Sequence, residues 1–116
     1  DEAIMLGIDG HVCECTGDNI FIIRRGELLT PGRWEGILEG ITRGVVMELA
    51  GKRGMTVSET SLVRHDLLVA EECFATGTAA EIVPITQINQ IAVGDGKPGR
   101  ITKQLMEDFA TYRNAG

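Results

Sequence analysis

Aromatic residues are scarce in this chain: one tryptophan, one tyrosine and three phenylalanines make up 4% of 116 residues. No aromatic stripe interleaved with basic residues is available, so a surface that stacks nucleic-acid bases has little to be built from. The net charge of −6 and pI of about 4.8 argue further against nucleic acid or an anionic membrane as partner. No apolar run approaches the roughly 20 residues of a membrane span. No stretch resembles a signal peptide. Cys13, Cys15 and Cys73 make an odd count, which argues against a disulfide framework and points to a reducing, cytoplasmic setting. The Cys13-x-Cys15 pair lacks the two-residue spacing of a zinc knuckle, and no second cysteine pair or spaced histidine pair follows it, so no metal site is expected. His11 and His65 stand alone. An initiator methionine is also missing: the chain opens Asp1-Glu2-Ala3-Ile4-Met5-Leu6 and runs almost at once into a strand-like segment, as a fragment of a longer protein would.

What the sequence does hold is an aliphatic-rich 43% hydrophobic content, enough for one α/β domain with a core of its own. Residues 3–8 and 11–15 flank Asp9-Gly10 as a hairpin. With a period of two, Val12 and Glu14 point to one face of the returning strand and His11, Cys13 and Cys15 to the other. Residues 20–24 and 27–29 form a second hairpin about Arg25-Gly26, and Thr30-Pro31-Gly32 breaks the sheet. Helical spacing of Ile41, Val45, Val46, Leu49 and Ala50 predicts a helix to Lys52. Strands are expected over 55–60, 73–76, 82–85 and 87–93, and a short helix over 62–70. The loop Gly94-Asp95-Gly96-Lys97-Pro98-Gly99 precedes a last amphipathic helix, 101–113, whose stripe is Ile101, Leu105, Phe109 and Tyr112. Strands and helices mix without strict alternation, which predicts a mixed, largely antiparallel sheet with flanking helices rather than a doubly wound dinucleotide fold.

Gly36-Ile37-Leu38-Glu39-Gly40-Ile41-Thr42-Arg43 reads as a loop entering a helix. Two glycines let the backbone come close to a ligand, the first N–H groups of the helix have no intrahelical partner, and Thr42 adds a hydroxyl at the helix mouth. Together with a carboxylate at a strand end, Glu14, and a small-residue corner at Gly77, Thr78 and Ala79, this suggests a phosphorylated cofactor whose ring nitrogen pairs with an acid. Taken alone, each feature also fits an ordinary loop, turn or solvated strand residue.

Four blocks in order, residues 14–21, 36–43, 77–84 and 94–99, resemble the class IV (fold type IV) pyridoxal-phosphate aminotransferases, most of all the branched-chain amino-acid aminotransferases. The resemblance implies the C-terminal, cofactor-binding domain of such an enzyme. It implies transfer of an amino group between a branched-chain L-amino acid (leucine, isoleucine or valine) and the 2-oxo acid 2-oxoglutarate, with pyridoxal 5'-phosphate as cofactor and a homodimeric enzyme. By the same resemblance Glu14 pairs with the cofactor's pyridine nitrogen. Leu38, Ile41, Thr42 and Thr78 hold its phosphate, and Gly77, Thr78 and Ala79 face the substrate carboxylate. The family's Schiff-base lysine would lie upstream of Asp1, and Lys52, Lys97 and Lys103 do not match it, so the isolated chain is expected to be inactive. Gly32-Arg33-Trp34-Glu35 departs from the family pattern close to where the substrate is expected. D-amino-acid aminotransferases and aminodeoxychorismate lyases are the near alternatives inside the class, although Gly77-Thr78-Ala79-Ala80-Glu81 favours the branched-chain group. A non-catalytic module that has lost its partner domain is the alternative outside it.

Overall fold

In a computed structural model of the chain, residues 4–6, 11–15, 19–31, 41–76, 82–88 and 91–115 are described. They form strands β1 (Ile4–Leu6), β2 (His11–Cys15), β3 (Asn19–Arg24) and β4 (Glu27–Thr30), then helix α1 (Ile41–Lys52). Strands β5 (Val57–Glu59) and β6 (Leu62–Val63), helix α2 (Arg64–Leu68), and strands β7 (Glu72–Thr76), β8 (Ile82–Pro84), β9 (Gln87–Ile88) and β10 (Ile91–Ala92) follow, and helix α3 (Arg100–Ala115) closes the chain. The main sheet has five strands in the order β5-β4-β3-β7-β8, antiparallel throughout except for the β4–β5 pair. A smaller sheet, β1-β2-β6, and the β9–β10 hairpin stand beside it. This is the mixed, mostly antiparallel α/β architecture that the sequence predicts.

β3 reads as a continuous apolar run because both of its faces are covered. Ile20 and Ile22 pack with Leu29, Cys73 and Ala75 on one face, under Leu62, Leu67, Ile88 and Val93. Phe21 and Ile23 pack with Leu28 and Phe74 on the other, under Val46 and Ala50 of α1 and Leu105 and Phe109 of α3. Phe21 lies opposite Phe74 in the β3–β7 register, and their rings stack with centroids 5.0 Å apart. The sheet is therefore a two-sided scaffold whose strand ends are left to carry polar groups.

Three expectations change in detail. The helix foreseen over 62–70 begins only at Arg64, because β-branched Val63 is extended (φ −114°, ψ 167°) and donates its N–H to Asp66 Oδ2 at 2.8 Å, which starts the helix there. The strand foreseen over 87–93 divides into β9 and β10, which pair with each other through Ile88 opposite Ile91, and Val93 N–H closes the base on Thr86 O at 2.9 Å. Tyr112 belongs to the stripe of α3 only in part: it stacks on Phe109 at 6.2 Å but remains 51% exposed.

Candidate functional site

The pairings of the main sheet bring several strand ends to one side. β3 starts at Asn19, β4 ends at Thr30, β5 ends at Glu59, β7 ends at Thr76 and β8 starts at Ile82. Thr30 stands opposite Glu59, and Thr76 lies between Asn19 and Ile82. The first turn of α1 is tied to this same end through Arg43, whose Nη2 donates to Pro31 O at 2.9 Å and to Glu59 Oε2 at 2.6 Å. Thr30 Oγ1 donates to Ile20 O at 2.7 Å, joining the neighbouring strands there.

Three polar side chains at this end are buried: Thr30 is 1%, Thr76 2% and Arg43 6% exposed. Folded proteins pair nearly all such groups, and leaving one unpaired costs about 1–3 kcal/mol. Yet Asn19 Oδ1, Arg43 Nε and Thr76 Oγ1 are buried atoms without a hydrogen-bond partner. Among the described residues no other side-chain atom is in that state. Of the three, Arg43 Nε and Thr76 Oγ1 can donate to an anionic ligand, whereas Asn19 Oδ1 accepts only and suits a donor such as a hydroxyl or N–H.

The foreseen site residues fall around this end unevenly. Ile41 and Thr42 are the first two residues of α1, so their N–H groups are among those without an intrahelical partner, and Thr42 is half-buried next to Arg43. Glu14 is in β2, opposite Met5 and five residues before Asn19. Its backbone is described and its side chain is not. Leu38, Gly77, Thr78 and Ala79 lie outside the described residues; Thr76, the last residue of β7, directly precedes Gly77. Sequence reasoning gave no role to Asn19, Thr30, Arg43, Glu59 or Thr76. Only the Thr30-Pro31 break hinted that a strand ends here, since an arginine in the first turn of a helix is ordinarily solvated.

All three lysines belong elsewhere. Lys52 is the last residue of α1, ten residues or about 15 Å of helix away from Thr42. Lys97 lies between Gly94 and Gly99, and both glycines touch the start of β7 at Glu71 and Glu72, the opposite end of that strand. Lys103 is in the first turn of α3, which Glu72 caps.

The family model for amino-transferase class IV matches residues 1–88. The chain belongs to the class IV aminotransferases. As a class IV aminotransferase segment it is 50% identical over 113 residues to a Methanocaldococcus jannaschii protein that carries the provisional name branched-chain-amino-acid aminotransferase, with 97% of this chain and 39% of that protein covered. It superposes on the solved Escherichia coli branched-chain amino acid aminotransferase with a TM-score of 0.92 at 39% identity, covering 95% of this chain and 37% of the other. A further solved branched-chain amino acid aminotransferase, from the organism abbreviated T.th. and in complex with N-(5'-phosphopyridoxyl)-L-glutamate, matches with a TM-score of 0.91 at 36% identity over 95% of this chain and 37% of that one. The chain thus spans less than two fifths of the length of these relatives.

Among the described residues no helix is long and apolar enough to cross a membrane, and no cluster of histidine, cysteine and acidic side chains is arranged to hold a metal ion.

Proposed function

We propose that this chain is the C-terminal, cofactor-binding domain of a pyridoxal-phosphate-dependent branched-chain amino-acid aminotransferase, which exchanges an amino group between leucine, isoleucine or valine and 2-oxoglutarate. The observation that carries the reading is the placing of Asn19, Arg43 and Thr76, with their unpaired buried atoms, at the one end of the main sheet to which the first turn of α1 is tied. A phosphorylated pyridine cofactor fits this end. It brings oxygen acceptors for the free N–H groups of α1 and for hydroxyl donors at Thr42 and Thr76, and it takes up polar capacity that the fold leaves unmatched. The names of relatives at 36–50% identity support the choice of substrate.

In this reading Ile41 and Thr42 hold the phosphate through backbone N–H groups and the Thr42 hydroxyl, with Leu38 and Thr78 completing the cradle. Glu14 keeps a proton on the pyridine nitrogen, and Gly77, Thr78 and Ala79 receive the α-carboxylate of the amino acid. When bound, the cofactor supplies a ring that accepts the electron pair left by the departing α-proton. The lysine that attaches it and moves that proton is contributed by sequence outside this chain. The enzyme is a cytoplasmic homodimer in this reading, supported by the odd cysteine count and by family resemblance.

The test is borohydride reduction of the complete enzyme with its cofactor, followed by peptide mass mapping. The label is expected on a lysine other than Lys52, Lys97 and Lys103; a stoichiometric label on one of those three overturns the assignment of this sheet end. Glu14→Ala is expected to lower turnover by about a hundredfold or more while cofactor stays bound. Near-normal turnover removes Glu14 from its role.

A further inference from the structure

We propose that Arg43 is a positioning residue that fixes the first turn of α1 against the sheet end, with Glu59 as its second anchor, so that Thr42 meets the cofactor phosphate at hydrogen-bond distance. This rests on the cofactor reading above and adds to it a residue that need not touch the phosphate. Among the described residues the remaining grip of α1 on the sheet is apolar, through Val46 and Ala50, partly buried Val45, Met47 and Leu49, and Leu28 and Phe74 of the same cluster. Apolar contact is non-directional and lets a helix settle over a range of axial positions. The two bonds from Arg43 Nη2, at 2.9 Å to the Pro31 carbonyl and 2.6 Å to Glu59, are directional. They lie one residue from Thr42, where a residue of helix corresponds to about 1.5 Å of rise. A contact that is a good hydrogen bond at about 2.9 Å is none at about 3.6 Å, so a slip of α1 by about half a residue would spoil the cradle.

The arginine is built for this position. Its side chain is 7% exposed, whereas that of Glu59 is 36% exposed. The buried cation is therefore held by a carboxylate that reaches it from solvent, and the pair leaves little net charge at the site. Both bonds leave the one nitrogen Nη2, so a lysine ammonium could make them too, but on a flexible stem that fixes their direction less well.

The pairing with Glu59 separates positioning from direct attraction. If Arg43 served only as positive charge for the phosphate, removing the negative charge of Glu59 would tighten binding. If it positions α1, losing that anchor loosens binding. The experiment titrates pyridoxal 5'-phosphate, and in parallel pyridoxal without the phosphate, into the complete apoenzyme carrying Arg43→Gln, Arg43→Lys or Glu59→Gln. Arg43→Gln is expected to weaken pyridoxal phosphate by about tenfold or more and pyridoxal less than about twofold. Arg43→Lys should fall between wild type and Arg43→Gln, and Glu59→Gln should weaken the phosphorylated ligand by about threefold. Unchanged phosphate-ligand affinity, equal losses for both ligands, or tighter binding in Glu59→Gln each overturns the proposal. If Arg43→Gln does not fold, Arg43→Lys and Glu59→Gln decide alone. Wild-type apoenzyme that binds neither ligand overturns the cofactor reading and this proposal with it, whereas wild-type binding with unaffected variants overturns only this proposal.

Discussion

Where β3 turns into β4 and β7 begins, polar groups close on one another; where β3 begins and β7 ends, some do so and three buried ones do not. At the first end the Arg25-Gly26 turn has both φ angles positive (54° and 76°), as a tight two-residue hairpin requires, and Arg25 N–H donates to Glu71 Oε2 at 3.1 Å. Glu72 accepts from Ile101 N–H, Thr102 N–H and Thr102 Oγ1 at 3.1, 2.7 and 2.7 Å, capping α3. A side chain at Gly99 would strike Glu72, and one at Gly94 would strike the Glu71 carbonyl, which explains the glycines of that loop. At the second end three buried atoms remain unmatched. One end of the sheet is finished as structure, the other keeps unmatched polar atoms that the proposed reading gives to a ligand, and the lysines lie away from that second end.

The contrast is broken most forcefully at the finished end. Glu72→Ala removes the cap of α3 and leaves Thr102, 1% exposed, without its carboxylate. It is expected to cost about 2–4 kcal/mol of stability in denaturant unfolding without changing cofactor affinity. A variant that folds normally but loses cofactor would place function at the wrong end. Thr42→Val inverts the pattern: cofactor affinity should fall by about 1.5–3 kcal/mol in a binding titration, with little change in the stability of the apoprotein.

Thr76→Val is the finest cut between the two ends. It replaces an unpartnered buried hydroxyl with a methyl group of similar volume, so the apoprotein should gain up to about 1 kcal/mol while cofactor binding weakens severalfold. Loss of apoprotein stability would mean that the hydroxyl already has a partner in the fold.

The smallest effect concerns neither end. Arg53, just past the end of α1, holds Asp108 in the middle of α3, Nη2 to Oδ1 at 3.0 Å, and this hydrogen bond lowers the Asp108 pKa below its ordinary value. A depressed carboxylate stabilises the fold above its unfolded pKa of about 3.9, and that stability is lost as pH falls through the folded value. Acid titration of stability below about pH 4 should therefore show a small component that Asp108→Asn removes.

The fold was legible where local chemistry is decisive. Arg25-Gly26 marks its hairpin, the apolar run Ile20–Ile23 marks a strand covered on both faces, and the spacing from Ile41 to Ala50 marks α1. It was less legible at 62–70 and 87–93, where short β-branched segments suit either state and tertiary pairing decides, as with Val63 joining β2. For the site, the ordered blocks suggest Glu14, Thr42 and Thr78, through family resemblance alone. Arg43, Glu59, Asn19 and Thr76 were not recoverable that way, because their importance lies in burial and in strand register, which bring residues 16 to 57 positions apart to one sheet end. No sequence spacing encodes such a meeting.

Amide hydrogen exchange on the complete enzyme, with and without pyridoxal 5'-phosphate, tests the central contrast most directly. Added protection is expected in peptides that contain Ile41–Gly44 and Thr76, with exchange unchanged across residues 91–103. Protection that appears instead at Gly94 to Thr102, leaving Thr42 and Thr76 unaffected, would contradict the assignment of the open sheet end to the cofactor.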